Sequence, residues 1–555
     1  MLLKTTLGVV IVGVASFAVA ATPPDAGQTL QQMQSAPPPA VPAPPPPTLI
    51  NETPPVEAHA EGKGETVHVV HVMFRGNTVF DSELLSRVAR IENTDATLAD
   101  LRAATRRISQ FYHEHGYLVA RAYVPPQDIT GGVVTIAVLE GKLGRITVHN
   151  RSDVEDSQIK QTVTKQLPIN GPVNSAGANR ALLLLQKTPG IRDVQGSLQP
   201  GAAVGTTALT VETRAAPVVS GSVAVDDYGS SFTGMDRLSG SLIFSNLTSQ
   251  ADQLSLQGII TEHNGLDNGR IAWDFPVLDD GARAGLSWSH TRYELGKQFA
   301  ALDVHGTADI SALYASYPLV LTPTSQVNGN VSVEWRELSD TTGALSFADR
   351  KSVAATVFTL SGNFADTVLR LPATNEWKVA ATFGDLDLNT PSVAAMDAIS
   401  AHTAGHYQKG VVRLSREQSI IGDLAVYVGG TAQRSDGNLD SSEQFFLGGP
   451  NGIRAYPIGE APGDQGWQGT LEARYRLLRW YQVIAFHDLG MIEANHTPYI
   501  NQQNGRHLSG SGVGLNGNWT SFSFKAALAW RGGSDIPTSD SDKRPRFWLQ
   551  GMYVF

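Results

Sequence analysis

The stretch QVNGNVSVEW, Gln326 to Trp335, decides the fold. Val327, Gly329, Val331, Val333 and Trp335 alternate with Gln326, Asn328, Asn330, Ser332 and Glu334. A period of two belongs to a strand with unlike faces. Leu471, Ala473, Tyr475 and Leu477 alternate with Glu472, Arg474 and Arg476 in the same way, and Phe522, Phe524, Ala526, Leu528 and Trp530 alternate with Ser523, Lys525 and Ala527. The polar faces carry charges that a soluble sandwich core would not accept. Lipid on one side and a wet lumen on the other account for the pattern, which predicts a transmembrane β-barrel.

This texture runs from Val218 to Phe555, a stretch of 338 residues. Sixteen strands would take about 21 residues each with their connections, which suits spanning strands of ~9–11 residues joined by alternating short and long links. The even count is a rule for such barrels, but the spacing alone does not give the number. The last segment places Phe547, Leu549, Gly551, Tyr553 and Phe555 on one face, as an aromatic girdle in a closing strand would.

Bulk composition agrees. The chain has 555 residues, a formal net charge of −10, 54 glycines and no cysteine. No basic run marks a nucleic-acid footprint, and neither a disulfide nor a thiolate metal site can form. The N-terminus begins with Lys4, continues with an apolar Leu7–Val19 and reaches a small-residue site at Ala18-Val19-Ala20. That order predicts a signal peptide over 1–20 and export from the cytoplasm. Beyond it no apolar run is long enough for a spanning helix, which leaves a soluble exported protein or a closed barrel.

Residues 21–65 are of low complexity. PPPAVPAPPPP, Pro37 to Pro47, predicts a stiff extended spacer. Before it, residues 25–35 could form a helix of about two turns, marginal alone in water. It is either a disordered leader or a small helix that docks into a cavity of the same protein.

Two units of similar order follow. In 66–142, VHVVHVMF reads as a strand, DSELLSRVAR as a helix capped by Asp81, and a second helix opens on Thr97 and Asp100 in a capping-box pattern. Its stripe is Leu98, Leu101, Thr105, Ile108 and Tyr112; Gly116 ends it, and two strands follow. Residues 143–216 repeat the order β-α-α-β-β.

One loop stands apart. LGGPNGIRAYPIGEAPGDQG, Leu447 to Gly466, has six glycines and three prolines around a single arginine, Arg454. Gly448, Gly449 and Gly452 give permissive backbone, and Pro450 and Pro457 limit its freedom. Arg454 is either a solvated loop residue or one member of an anchored ion pair. Gln482, Ile484, Phe486, Asp488 and Gly490 share one face of a strand, and Asp488 belongs on the lumen side, since an ionised carboxylate facing lipid is costly.

Other candidate sites are weak. His113 and His115 in YHEHGY point to different faces of a helix, and His68 and His71 to opposite faces of a strand. EGKGE, EGKLG and LGKQF lack P-loop spacing, and neither G-x-S-x-G nor H-E-x-x-H occurs. Asp226-Asp227 and Asp279-Asp280 read as hydrated turns. No enzyme activity, cofactor or metal is expected.

Taken together, signal peptide, proline-rich spacer, two β-α-α-β-β repeats, barrel and C-terminal Phe555 resemble the transporter component of two-partner secretion, the TpsB or haemolysin secretion/activation family. The resemblance covers essentially the whole chain. It implies two periplasmic POTRA domains, at 66–142 and 143–216, and a 16-stranded outer-membrane barrel over 217–555. The family's long surface loop carries a V-R-G-[YF] signature, read here as Ile453-Arg454-Ala455-Tyr456, with alanine in place of glycine. The resemblance implies that this loop, 440–468, folds into the barrel and that Arg454 meets Asp488 of an F-x-D-x-G motif, here Phe486 to Gly490. It also makes 25–35 a plug helix in the pore.

The function so implied is translocation of a large unfolded exoprotein, a TpsA-type adhesin or haemolysin, read by the POTRA domains and passed through the barrel without nucleotide hydrolysis. POTRA sheet edges could read such a chain by strand addition. Periplasmic chaperones and the barrel-assembly machinery would serve biogenesis, outer-membrane lipid would surround a monomer, and nucleic acid would play no part. A barrel-assembly insertase shares the barrel and the arginine loop but usually has more POTRA repeats. A diffusion porin needs no such repeats, and a soluble exported adhesin would not have charged inward faces.

Overall fold

The computed structural model describes residues 23–34, 47–51, 66–501 and 503–555. The expected signal peptide and nearly all of the proline-rich spacer lie outside the described residues.

The first α+β unit packs helices Ser82–Ala89 and Leu98–Glu114 on a small sheet in which His71–Arg75 runs parallel to Val133–Leu139, and Arg121–Tyr123 antiparallel to it. Asp81 caps the first helix and Thr97 with Asp100 closes a capping box on the second. Three expectations need correction. VHVVHVMF is two strands, broken where the Val70 and His71 N–H groups both donate to the Gly132 carbonyl. Val67–Val69 pairs instead with Thr94–Ala96, a strand not foreseen. The break puts His68 and His71 on two different strands, both exposed, on Asp95 at 2.8 Å and Glu92 at 2.9 Å. Leu98, the first residue of the helix, is half exposed and lies outside the buried stripe; Leu101, Ala104, Thr105, Ile108 and Tyr112 are buried.

In the second unit, helices Asp156–Gln166 and Ser175–Gln186 cover a four-stranded sheet. Three strands come from the unit: Lys142–Arg151, Ile191–Pro200 and Thr206–Ala215. The fourth is Thr48–Asn51, from the segment read as spacer, which runs parallel along the outer edge of Ile191–Pro200. Periodicity could not find it: four residues are too few for a pattern, and the partner strand lies far along the chain.

Sixteen antiparallel strands, from Val219–Asp226 to Arg546–Val554, form a closed barrel. First and last strands pair from Ser222↔Val554 to Asp226↔Gln550, and the Phe555 and Gly221 backbones exchange two hydrogen bonds beyond them. The alternation read from sequence is the alternation of exposure: Leu471 and Tyr475 are about half exposed, whereas Glu472 between them is 6% exposed. Several strands exceed what a bilayer requires; Phe347–Asp366 has 20 residues. Asp226 is a correction: it is buried and its Oδ1 accepts from Arg237 Nε at 2.7 Å, on the facing strand.

The second unit is seated on the barrel rim. Leu183 and Leu184 pack with Leu321, and Arg180 Nη2 donates to the Pro318 carbonyl at 2.7 Å. Gly281, at φ +97°, permits this approach: a Cβ there would lie 2.5 Å from Leu184 Cδ2.

Candidate functional site: the inward loop and its arginine

The loop between strands Leu424–Ser435 and Gln465–Leu478 enters the barrel as a compact body. Phe445–Phe446 pairs with Pro462–Gly463 at its root. At the tip the chain turns back on itself: Ile453 N donates to the Leu447 carbonyl at 2.7 Å and Gly449 N to the Tyr456 carbonyl at 3.1 Å. The glycines act in two ways. Gly449 has φ +113°, which favours glycine, whereas a Cβ on Gly448 or Gly452 would run into the Pro457 or Leu447 carbonyl oxygen. Leu447, Ile453, Ala455 and Tyr456 are buried and pack with Ile484 and Phe486 of the wall.

This packing delivers Arg454 to Asp488. The Arg454 Nε and Nη2 groups donate to the two carboxylate oxygens at 2.9 and 2.6 Å, and the Arg454 backbone N–H adds a third bond at 3.1 Å. The Asp488 side chain is 1% exposed and that of Arg454 11%. A two-pronged contact of this kind fixes orientation as well as distance. The guanidinium carbon also lies 3.4 Å from the centre of the Phe486 ring, so that ring, two residues before Asp488 on the same face, is the platform of the site.

Three partners were missed in the sequence. Glu472 Oε1 meets Arg454 Nη1 at 2.7 Å, Thr470 Oγ1 accepts from Nη2 at 2.8 Å, and Trp548 Nε1 donates to the Arg454 carbonyl at 2.7 Å. Thr470 faces Asp488 and Glu472 faces Phe486 in register pairs two apart, on the same face of the sheet, so the guanidinium lies across two same-face rungs of one ladder. Glu472 had been legible as an inward charge; its pairing with Arg454 depends on register, which no local pattern carries. Glu472 is shared with Arg474 at 2.7 Å, and Arg474 in turn bonds Glu417. Charges therefore alternate Asp488, Arg454, Glu472, Arg474, Glu417 along the inner wall. Gly490 stands behind the tip, where a Cβ would lie 3.0 Å from Leu447 Cδ2.

Helix Ala26–Gln34 lies inside the barrel against the root of the same loop. Its N-cap carboxylate, Asp25, accepts from Gln28 N at 2.8 Å and meets Ser441 Oγ at 2.5 Å and Lys351 Nζ at 3.2 Å. Lys351 also holds Asp440 at 2.8 Å, and Ala26 N donates to Asp340 Oδ1 at 2.8 Å. Gly27 allows the helix to lie against the loop backbone: a Cβ there would be 2.6 Å from Ser442 N. Ala26, Thr29 and Leu30 are almost fully buried. Phe555 lies far from this site in the sheet, half exposed at the end of the closing strand.

Among the described residues no group of three or more His, Cys, Asp or Glu is placed to hold a metal ion.

Comparison with known proteins adds the following. The family model described as haemolysin secretion/activation protein ShlB/FhaC/HecB matches residues 205–517, and that of the POTRA domain, ShlB-type, matches 67–141. The heme/hemopexin transporter protein HuxB of Haemophilus influenzae is 26% identical over 521 residues, covering 91% of each chain. The solved structure of CdiB from Escherichia coli superposes with a TM-score of 0.70 at 19% identity, covering 90% of this chain and 93% of that one. BamA from Haemophilus ducreyi lacking POTRA domains 1–3 superposes with a TM-score of 0.52 at 12% identity, covering 88% of this chain and 100% of that one. At these identities the two structures speak for the fold alone.

Proposed function

This chain belongs to the haemolysin secretion/activation ShlB/FhaC/HecB family, the outer-membrane β-barrel transporters of two-partner secretion with periplasmic POTRA domains, and we propose that it takes an unfolded exoprotein from the periplasm and passes it through its own barrel. Its partner class is the large secreted exoprotein of the TpsA type. Binding by the POTRA units, export without nucleotide hydrolysis and the absence of enzymatic activity are parts of this reading. So are action as a monomer and reliance on periplasmic chaperones and the barrel-assembly machinery during biogenesis.

The observation that supports it best is the joint occupation of the lumen. The inward loop, held at Arg454 and Asp488, and helix Ala26–Gln34, held at Asp25, touch each other at Ser441 and Ser442. A barrel that conducts a polypeptide must move such bodies; the helix is held mainly by polar contacts that can be exchanged for water or substrate, and the loop by buried ion pairs at Glu443, Arg454 and Glu460 together with its apolar tip. Breaking a buried ion pair by removing one partner costs about 3–5 kcal/mol, enough to reset which arrangement dominates.

Strand addition at the POTRA edges needs one refinement. The Ile191–Pro200 edge of the second unit already carries Thr48–Asn51, so a substrate would use the opposite edge, Lys142–Arg151, an edge of the first unit, or displace Thr48–Asn51.

The test is secretion. The protein is co-expressed with a candidate TpsA-type exoprotein, and cargo is assayed in the medium for wild type, Arg454→Ala and Asp488→Ala. Export by wild type that is lost in both variants while the barrel still inserts supports transport and the role of the pair. Export unchanged in both removes the pair from the mechanism. Cargo retained in the periplasm by wild type, with failure of other barrels to assemble in its absence, favours an insertase.

A further inference from the structure

The inward loop has a second buried contact, with a surface loop at the outer rim. It follows Leu424–Ser435, the eleventh strand of the barrel, and residues 533–545 follow Phe522–Gly532, the fifteenth. Antiparallel order places both loops on one rim, opposite the turns that seat the second unit. They meet at Glu460, whose side chain is 0% exposed. Five donors surround its carboxylate. Four belong to two consecutive residues: the Thr538 N–H at 2.9 Å and Oγ1 at 3.0 Å, and the Ser539 N–H at 2.8 Å and Oγ at 2.6 Å. The fifth is Arg506 Nη1 at 2.7 Å, and Nη2 of the same guanidinium donates to the Ile536 carbonyl at 3.2 Å. The Tyr456 hydroxyl adds a bond to the Asp535 carbonyl at 2.9 Å.

Glu460 is tied to both bodies in the lumen. Its carbonyl accepts from Leu447 N at 3.2 Å and Gly448 N at 3.3 Å, which closes the base of the tip that carries Arg454. Its neighbour Gly459, at φ +74°, lies against helix Ala26–Gln34: a Cβ there would run into Gln32 Nε2. Within two consecutive residues the loop thus touches the helix on one side and the surface loop on the other. The chemistry suits a contact that opens. A buried carboxylate that loses its donors is costly where it stands and recovers its solvation in water. The four donors of the surface loop sit on one two-residue segment, so an outward shift of that segment removes them together. The contact therefore has two states, with the carboxylate dressed by 538–539 or by water.

We propose that surface loop 533–545 is the outer clasp of the closed pore, and that Glu460 is the positioning residue through which it holds the inward loop and, by way of Gly459, the helix. Arg454 and Asp488 fix the tip to the wall, whereas Glu460 fixes the base of the tip to the rim. Opening then takes two separations: Arg454 from Asp488, and 538–539 from Glu460. This rests on the reading of the barrel as a conduit for polypeptide, but its test needs no cargo.

The full chain is reconstituted in planar bilayers as wild type, as Glu460→Gln, as the pair Thr538→Val with Ser539→Ala, and as all three changes together. Glu460→Gln keeps the shape and removes the charge; the pair removes two hydroxyl donors from the other side of the contact. Each should raise the frequency of open events at least ~10-fold, the size expected for loss of one hydrogen bond to a charged group. The triple variant should add little to either, because both break one contact. Leu345→Ser, at an exposed position of another surface loop, should conduct as wild type does. Wild-type conductance in both Glu460→Gln and the 538–539 variant would overturn the clasp. So would a lower melting temperature with unchanged conductance, which would leave Glu460 a role in folding of the loop alone. Effects that multiply in the triple variant would show two separate contacts and overturn it as well. If Glu460→Gln fails to insert, the 538–539 variant, which leaves the inward loop intact, decides. Lack of export by a wild type whose variants gate as expected would count against the conduit and leave the clasp standing.

Discussion

The methyl group of Ala455 occupies the space that a side chain on Gly510 would need. Ala455 is 1% exposed at the tip of the inward loop, and Gly510 belongs to strand Gly505–Asn518 of the wall. The alanine that departs from the V-R-G-[YF] signature is thus accommodated by a glycine opposite it, 55 positions along the chain.

Gly510→Ala should overpack this contact, at a cost of about 1–3 kcal/mol, and loosen the loop tip. Ala455→Gly in the same chain should recover most of the loss. Protease sensitivity of 447–466 in the single and double variants checks this; additive effects would show that the two positions are independent.

Asp488→Ala should free Arg454 and make the Arg454–Ala455 bond a trypsin site from the cell surface. Wild type should resist, because the guanidinium is held by two bonds to Asp488 and one to Glu472, and the Arg454 backbone N–H by a third to Asp488. Glu472→Gln should have a smaller effect, since Arg454 keeps Asp488 and Arg474 keeps Glu417. Equal cleavage of both variants would mean that Glu472 holds the loop as firmly as Asp488 does.

Asp25→Ala should weaken the seating of helix Ala26–Gln34, removing its cap and its contacts with Ser441 and Lys351. Each hydrogen bond to a charged group is worth about 1.5–3 kcal/mol. Planar-bilayer recordings should show more frequent and larger conductance steps than wild type. Lys351→Met should act in the same direction, because it also leaves Asp440 unpaired. Unchanged conductance in both would place the resistance of the pore in the loop alone.

Glu92 gives the first periplasmic unit a pH dependence of known sign. The Val72 backbone N–H at 2.8 Å is the main cause holding this carboxyl below the usual range, against burial that raises it, with Ser86 and His71 adding to the lowering. A lowered folded-state pKa contributes stability above the unfolded pKa, about 4.3, and loses it as pH falls through the folded value. Hydrogen exchange of 67–96 should therefore be constant from about pH 6 to 5 after correction for intrinsic rates and show loss of protection below ~4. Glu92→Gln should weaken protection above pH 5 and flatten the acid limb.

Much of the architecture follows from short-range pattern. Period-two alternation in segments such as Gln326–Trp335 requires two solvents, and a chain with lipid on one side of every strand must close into a barrel. Asp81, Thr97 with Asp100, and Gly116 mark helix ends by their own chemistry. Arg454 and Asp488 could be paired in advance only through the family resemblance, since nothing local links positions 34 apart.

What tertiary structure alone decided is everything set by register and by distant partners. Glu472 became a ligand of Arg454 because its strand pairs two rungs in step with Phe486 and Asp488. Thr48–Asn51 became a strand because an unpaired sheet edge nearly 150 residues away offered hydrogen bonds to a backbone with no pattern of its own. Ala455 was tolerated because Gly510 faces it, and Glu460 is dressed by donors 78 and 79 positions away. Sequence carries the propensity and the face of each element, because these depend on neighbours along the chain. It does not display which elements meet, because that depends on the packing free energy of the whole.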